Sequence, residues 1–334
     1  MNQIVQPIEF ARLRLYHPRV FEKRRNPTAK PKSRWLLLLL TVGLIVTTHA
    51  CRKSPAPATS QPAKFIRPTV ASLVPAASDI ILHIGGERHL VAISNYDDHR
   101  QAFATLPRVG DYQTTDWERI TAIKPDVMIR QFSADRVPAG LQERADALGI
   151  KLLNLQIETL DDISRAYSVL GEAIGQASSA MNAWSAVQAH LDAIRLSQQG
   201  RPRVRSLILI DPEATAVIGP DTFLDELLTI AGGENVARDL KQRYPSIDRE
   251  MLRKLDPDAI VQLLPGASAQ VVESAREMWK TLGHLQAVKH GRVTILTEPY
   301  TLLPASRVAN VAALLDDAIH MDQASSSGDS THQP

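Results

Sequence analysis

The sequence predicts an α/β protein of two lobes joined by one long α-helix, and three observations lead there. From Val70 onward, short apolar runs alternate with helical stretches, the pattern of parallel β-α units. A segment without Gly or Pro, Ser178–Leu196, separates two such halves. Finally, two stretches of the first half can be laid over two of the second without a gap, which makes related lobes the economical reading.

The chain of 334 residues is long enough for two ordinary cores, and its 44% hydrophobic and 22% charged residues are those of a folded protein. Its net charge of +2 hides an asymmetry. Residues 1–34 carry nine Arg or Lys against Glu9 and Glu22, residues 35–50 carry no charge, and everything from Cys51 onward is mildly acidic. An acidic body has no electrostatic footprint for nucleic acid. Behind the basic stretch, the apolar run Trp35–Val46 would rise about 18 Å as a helix, short of a bilayer core of about 30 Å. Basic region, short apolar core and small-residue exit read as a secretory signal over residues 1–50.

Cys51 is the only cysteine and follows that signal directly, so it cannot close an internal disulfide. Thr48-His49-Ala50-Cys51 resembles a bacterial lipoprotein box, which implies lipidation of Cys51 and a membrane anchor. Residues 51–68 then read as a leash, rich in Pro, Ser, Thr and Ala and poor in large apolar side chains.

The first lobe is expected over 69–172, with strands at Val70–Val74, Leu90–Ile93, Val127–Ile129 and Leu152–Leu155 and helices at Ala77–Ile84, Trp117–Ile123 and Leu141–Leu148. The bridging helix falls within 173–200. Its residues Met181, Trp184, Val187, Leu191 and Ile194 form one apolar stripe, which fits a rigid strut and a surface helix of one lobe equally well. The second lobe, 201–320, repeats the scheme with strands Ser206–Ile210, Ala259–Leu263 and Val293–Leu296 and helices Thr222–Ile230 and Arg249–Lys254. Residues 321–334 read as a low-complexity, disordered tail.

The internal echoes are specific. Glu118 to Ile129 matches Glu250 to Val261, each a short helix opened by an acid, an X-Pro-Asp turn at Pro125 or Pro257, and a strand. Asp79 to Glu87 matches Glu226 to Glu234, each an apolar helix stopped at a Gly-Gly pair. Two related lobes place a cleft between them, where ligands usually bind.

Enzyme signatures are scarce: there is no G-x-S-x-G elbow, no H-E-x-x-H, no cysteine pair and no P-loop lysine motif. His83, His89, His99, His284 and His290 are scattered, so no metal ligands and no resident cofactor are assigned. Fold alone still leaves an enzyme on this architecture as an alternative. Of six tyrosines, Tyr96, Tyr112, Tyr244 and Tyr300 lie in loop-like segments, two in each half. A rigid ring with a polar tip suits gripping a flat, amphipathic ligand.

The stretches Ser72–Asp79, Val91–Asp98, Leu106–Tyr112, Trp117–Asp126, Ala231–Val236 and Tyr244–Glu250 resemble the periplasmic binding proteins for vitamin B12, iron-siderophores and haem. The resemblance covers about Val70 to Ile319 and is strongest to the vitamin B12 branch. It implies two Rossmann-like lobes, a long bridging helix, and a site in which Tyr96, Asp98, Tyr112, Tyr244 and Tyr300 meet a cobalt corrinoid, or alternatively haem or a ferric siderophore. It also implies delivery to an ABC permease dimer with its ATPase subunits, docked through Glu118 and Glu250, at the periplasm or cell surface. Tyr112 and Tyr244 stand where that branch commonly carries tryptophan.

Overall fold

The computed structural model describes residues 67–132 and 137–326. The expected signal, Cys51 and all of the leash up to residue 66 lie outside these. The first lobe contains β1 (Val70–Ser72), α1 (Pro75–His83), β2 (Leu90–Ala92), α2 (Trp117–Ile123), β3 (Val127–Arg130), α3 (Leu141–Ala147), β4 (Lys151–Asn154) and α4 (Leu160–Ala173). After α5 (Ala177–Ser197) the second lobe contains β5 (Val204–Leu209), α6 (Phe223–Ile230), β6 (Gly233–Asn235), α7 (Arg249–Leu255), β7 (Ala259–Leu263), α8 (Ala269–Lys280), α9 (Gln286–Lys289), β8 (Val293–Leu296) and α10 (Val308–Ser326).

Each lobe holds one four-stranded, wholly parallel sheet, ordered β2-β1-β3-β4 in the first and β6-β5-β7-β8 in the second. The second order is the first shifted by four strands, so the sequence echoes correspond to a repeated topology. Both Gly-Gly stops behave alike, with Gly85 at φ +76° and Gly232 at φ +84°.

Parallel strands covered on both faces read as unbroken apolar runs, and alternate residues serve different cores. In β3, Val127 and Ile129 pack towards the core shared by both lobes, while Met128 packs towards the outer face of the first. In β7, Ala259, Val261 and Leu263 face the shared core and Ile260 faces an outer core with Trp279.

The shared core runs through α4, α5, α6 and α10, and α5 packs on α4 of the first lobe and on α6 and α10 of the second. Its buried stripe is Ala180, Trp184, Val187 and Leu191, with Met181 exposed instead. The cause is the close approach of α4: a Cβ on Gly171 would lie 2.5 Å from the Ala180 methyl, so a small residue must face α4 there. Two further differences from expectation stand out. α1 starts at Pro75, since proline fits the first helical turn where no N–H is required. The C-terminal tail expected from residue 321 is helical through Ser326.

Candidate functional site

The loops bearing the candidate tyrosines leave the carboxyl ends of parallel strands: Tyr96 and Tyr112 follow β2, Tyr244 follows β6 and Tyr300 follows β8. This is the end of an open α/β sheet at which ligands bind.

In the first lobe Tyr96 and Tyr112 come together. Their rings stack with centroids 5.7 Å apart at 27°, yet Tyr96 is 59% and Tyr112 41% exposed. Two neighbouring aromatic rings left open to solvent form an apolar platform with hydroxyls at its edge. Asn95 joins the two loops, its N–H donating to Gly110 O at 2.6 Å and its amide to Asp111 Oδ2 at 3.2 Å. Two arginines support them from beneath. Arg108 donates to the carbonyls of Ser94, Asn95, Asp97 and Asp98, and Arg130 to those of Asp111 and Thr114.

Asp97 is buried beside Tyr96, accepting from Ser94 N–H at 2.8 Å and Ser78 Oγ at 3.1 Å. Burial pushes its carboxyl up to about 6 despite those bonds. Asp98 is a different case. Burial acts to raise it, but the Arg100 guanidinium that grips it, with the field of Arg307, holds it below the ordinary value. Asp98 is therefore held as one half of an ion pair with Arg100.

In the second lobe Tyr300 lies under Arg307, whose guanidinium carbon is 4.2 Å from the ring centroid. Tyr244 is half-buried and its hydroxyl donates to Glu158 Oε2 at 2.8 Å, across the lobes. Burial, then the Glu158 charge, raises that phenol well above its usual value. The Tyr244 loop lies so close to its neighbour that a Cβ on Gly219 would fall 1.8 Å from Gln242 O. Phe223 N–H donates to Glu158 O and Leu160 N–H to Glu226 Oε2, both at 2.6 Å. The lobes are also tied through Asp79, which accepts from Arg100 and from Ser306.

Glu118 and Glu250 are exposed in the first turns of α2 and α7, behind N-caps Asp116 and Asp248 whose carboxylates accept from Arg119 and Met251 N–H. Tyr112 and Tyr244 each stand six residues before these glutamates, so ring loop and acid are linked alike in both lobes.

A cavity of about 320 Å³ opens beside Phe132, Asn154, Gln156 and Arg165 at the carboxyl ends of β3 and β4. A larger hollow of about 760 Å³ runs along β6 beside the amino end of β5, lined by Arg205, Gly233, Arg238 and Met251 and by none of the tyrosines. Among the described residues, no three His, Cys, Asp or Glu side chains cluster as metal ligands. His83 meets Tyr167 and His89 meets Pro68 O instead. Sequence reasoning missed Arg100, Arg108, Arg130, Glu158 and Arg307. Only Arg130 carried a signal, a charge ending the apolar run Val127-Met128-Ile129.

Comparison with known proteins now decides the family, since residues 70–300 match the periplasmic binding protein family model. The chain belongs to the periplasmic binding protein family. These are solute binders, not enzymes. Among its relatives, a vitamin B12-binding protein of Vibrio vulnificus is 26% identical over 57% of this chain and 69% of its own. A Bacillus subtilis ABC transporter substrate-binding lipoprotein is 26% identical over 67% of this chain and 71% of its own. A periplasmic haem-binding protein of Pseudomonas aeruginosa, 24% identical, shares the fold with a TM-score of 0.65 over 77% of this chain and 94% of its own.

Proposed function

We propose that this protein is the substrate-binding component of an ABC importer. It captures cobalamin or a related corrinoid between its lobes and passes it to the permease, with Cys51 lipidated as its membrane tether. The observation that carries the ligand assignment is the exposed Tyr96–Tyr112 stack on loops held from below. A preset aromatic platform suits a large, flat chelate, because little ordering is left to be done on binding. The vitamin B12-binding relatives support the corrinoid within that class. Glu118 and Glu250 supply the docking pair, one exposed carboxylate per lobe for a two-fold symmetric partner, with location in the periplasm or at the cell surface.

A second reading, haem or a ferric siderophore, is favoured by Arg307. Its guanidinium rests on Tyr300 at the carboxyl end of β8, where a ligand carboxylate would find a cation. Titration calorimetry with cyanocobalamin and haemin, with the visible spectrum of the protein purified from cells, separates the two. Micromolar or tighter binding of cyanocobalamin alone supports the corrinoid; binding of haemin alone replaces it.

A further inference from the structure

β3 is apolar and buried for three residues and then ends on Arg130, which is only 2% exposed. Its Nη1 donates to Asp111 O and Thr115 Oγ1 at 2.8 Å and to Thr114 O at 3.2 Å, and its Nη2 approaches Tyr112 O at 3.5 Å. The guanidinium carbon lies 4.5 Å from the Phe132 ring centroid. Among the described residues no carboxylate forms an ion pair with it, and its Nε is buried without a partner. Burial lowers the guanidinium to about 10, with the field of Asp111 opposing, so it stays charged at neutral pH.

A charge withdrawn from water and met mostly by neutral carbonyls is a costly way to end a strand that an apolar residue would end well. Every acceptor it reaches belongs to residues 111–115, the loop that presents Tyr112. We propose that Arg130 is a positioning residue for the ligand site: its fork holds the Tyr112 loop so that the ring stacks on Tyr96 before any ligand arrives. A lysine at that position keeps the charge but loses the planar fork that reaches several acceptors at once. The proposal rests on the reading that Tyr112 contacts the ligand.

Arg130→Lys and the milder Thr115→Val, which removes a single acceptor, test it in two arms. In the first, hydrogen exchange is followed in the unliganded protein. Faster exchange of the 111–115 amides in both variants, with β1 and β7 still protected, is expected. Unchanged loop exchange, or acceleration throughout both lobes, overturns the proposal. In the second arm, cyanocobalamin affinity is measured with Tyr112 present and in a Tyr112→Ala background. A loss of about tenfold for Arg130→Lys that falls below about twofold without Tyr112 is expected for a residue acting through that ring. Equal losses in both backgrounds contradict it. If the unsubstituted protein binds no cyanocobalamin, the corrinoid reading fails and the exchange arm alone decides the role of Arg130. If Arg130→Lys does not fold, Thr115→Val decides both arms.

Discussion

The carboxylate of Asp79, buried on α1 of the first lobe, accepts a hydrogen bond of 3.0 Å from the backbone N–H of Ser306 in the second, 227 residues away. The same carboxylate accepts from Arg100 Nη1 at 2.8 Å. With the shared core, the Glu158 and Glu226 bonds and α5 packed against both lobes, this tie opposes a hinge. Small-angle scattering with and without ligand is therefore expected to give closely similar radii of gyration, and a marked contraction on binding would contradict the account.

Asp79→Ala removes the tie and leaves Arg100 without its more buried partner. A loss of about 2–3 kcal/mol in urea unfolding is expected, typical of stranding a partly buried charge and a partly buried N–H. Ligand affinity should fall as well, because the Asp98–Arg100 pair at the site is loosened. A stability change below about 0.5 kcal/mol, the range of ordinary surface substitutions, would show that Asp79 ties nothing.

Asp97 makes stability depend on pH in a particular direction. Its folded-state value of about 6 lies above the ordinary carboxylate, so the folded protein binds this proton more readily than the unfolded chain. The charged form thus costs stability above pH 6, and the cost is relieved as pH falls from about 6 towards 4. Asp97→Asn keeps an acceptor for Ser94 and Ser78 without the charge, and is expected to be more stable at pH 7.5 by about 1–3 kcal/mol, with the gap narrowing to about a third of that by pH 4.5. Asp98, Asp111, Asp126 and Asp162, all held below the ordinary value, act the opposite way, and their contribution is lost only as pH drops below about 4. Denaturant unfolding at the two pH values would expose a constant gap, which the account forbids.

Glu118→Ala and Glu250→Ala are expected to leave ligand affinity and the thermal midpoint nearly unchanged, since each side chain is exposed in a first helical turn. Each should weaken association with the permease by about tenfold, more steeply at low salt, as exposed interface charges do. Uptake in cells carrying either variant, read beside ligand binding in the purified protein, checks this. Normal uptake with both glutamates replaced would remove the docking role.

Much of the fold was legible because burial on both faces writes itself as unbroken apolar runs. β7 and β8 lie at Ala259–Leu263 and Val293–Leu296, as expected, and α2 spans Trp117–Ile123. β6 was invisible because Gly233-Glu234-Asn235 has no strand preference and becomes a strand by pairing with β5. α4, α8 and α10 were not among the expected helices, and the end of α10 lies in the stretch read as a tail. At the site, loop tyrosines could be suspected from their setting, but the stacking of Tyr96 on Tyr112 could not, since it depends on Arg108 and Arg130 reaching backbone carbonyls that carry no sequence signature. The Tyr244–Glu158 bond joins residues 86 apart and follows only from how the lobes pack.

On this reading the Tyr96–Tyr112 platform holds a corrinoid. Titrating cyanocobalamin into the purified protein and into Tyr96→Ala and Tyr112→Ala, followed by tyrosine fluorescence and calorimetry, tests it most directly. Micromolar or tighter binding that falls about tenfold in each variant is the predicted result, the usual worth of one stacked ring. Absence of heat and quenching with the unsubstituted protein, or equal affinity in all three, would contradict it.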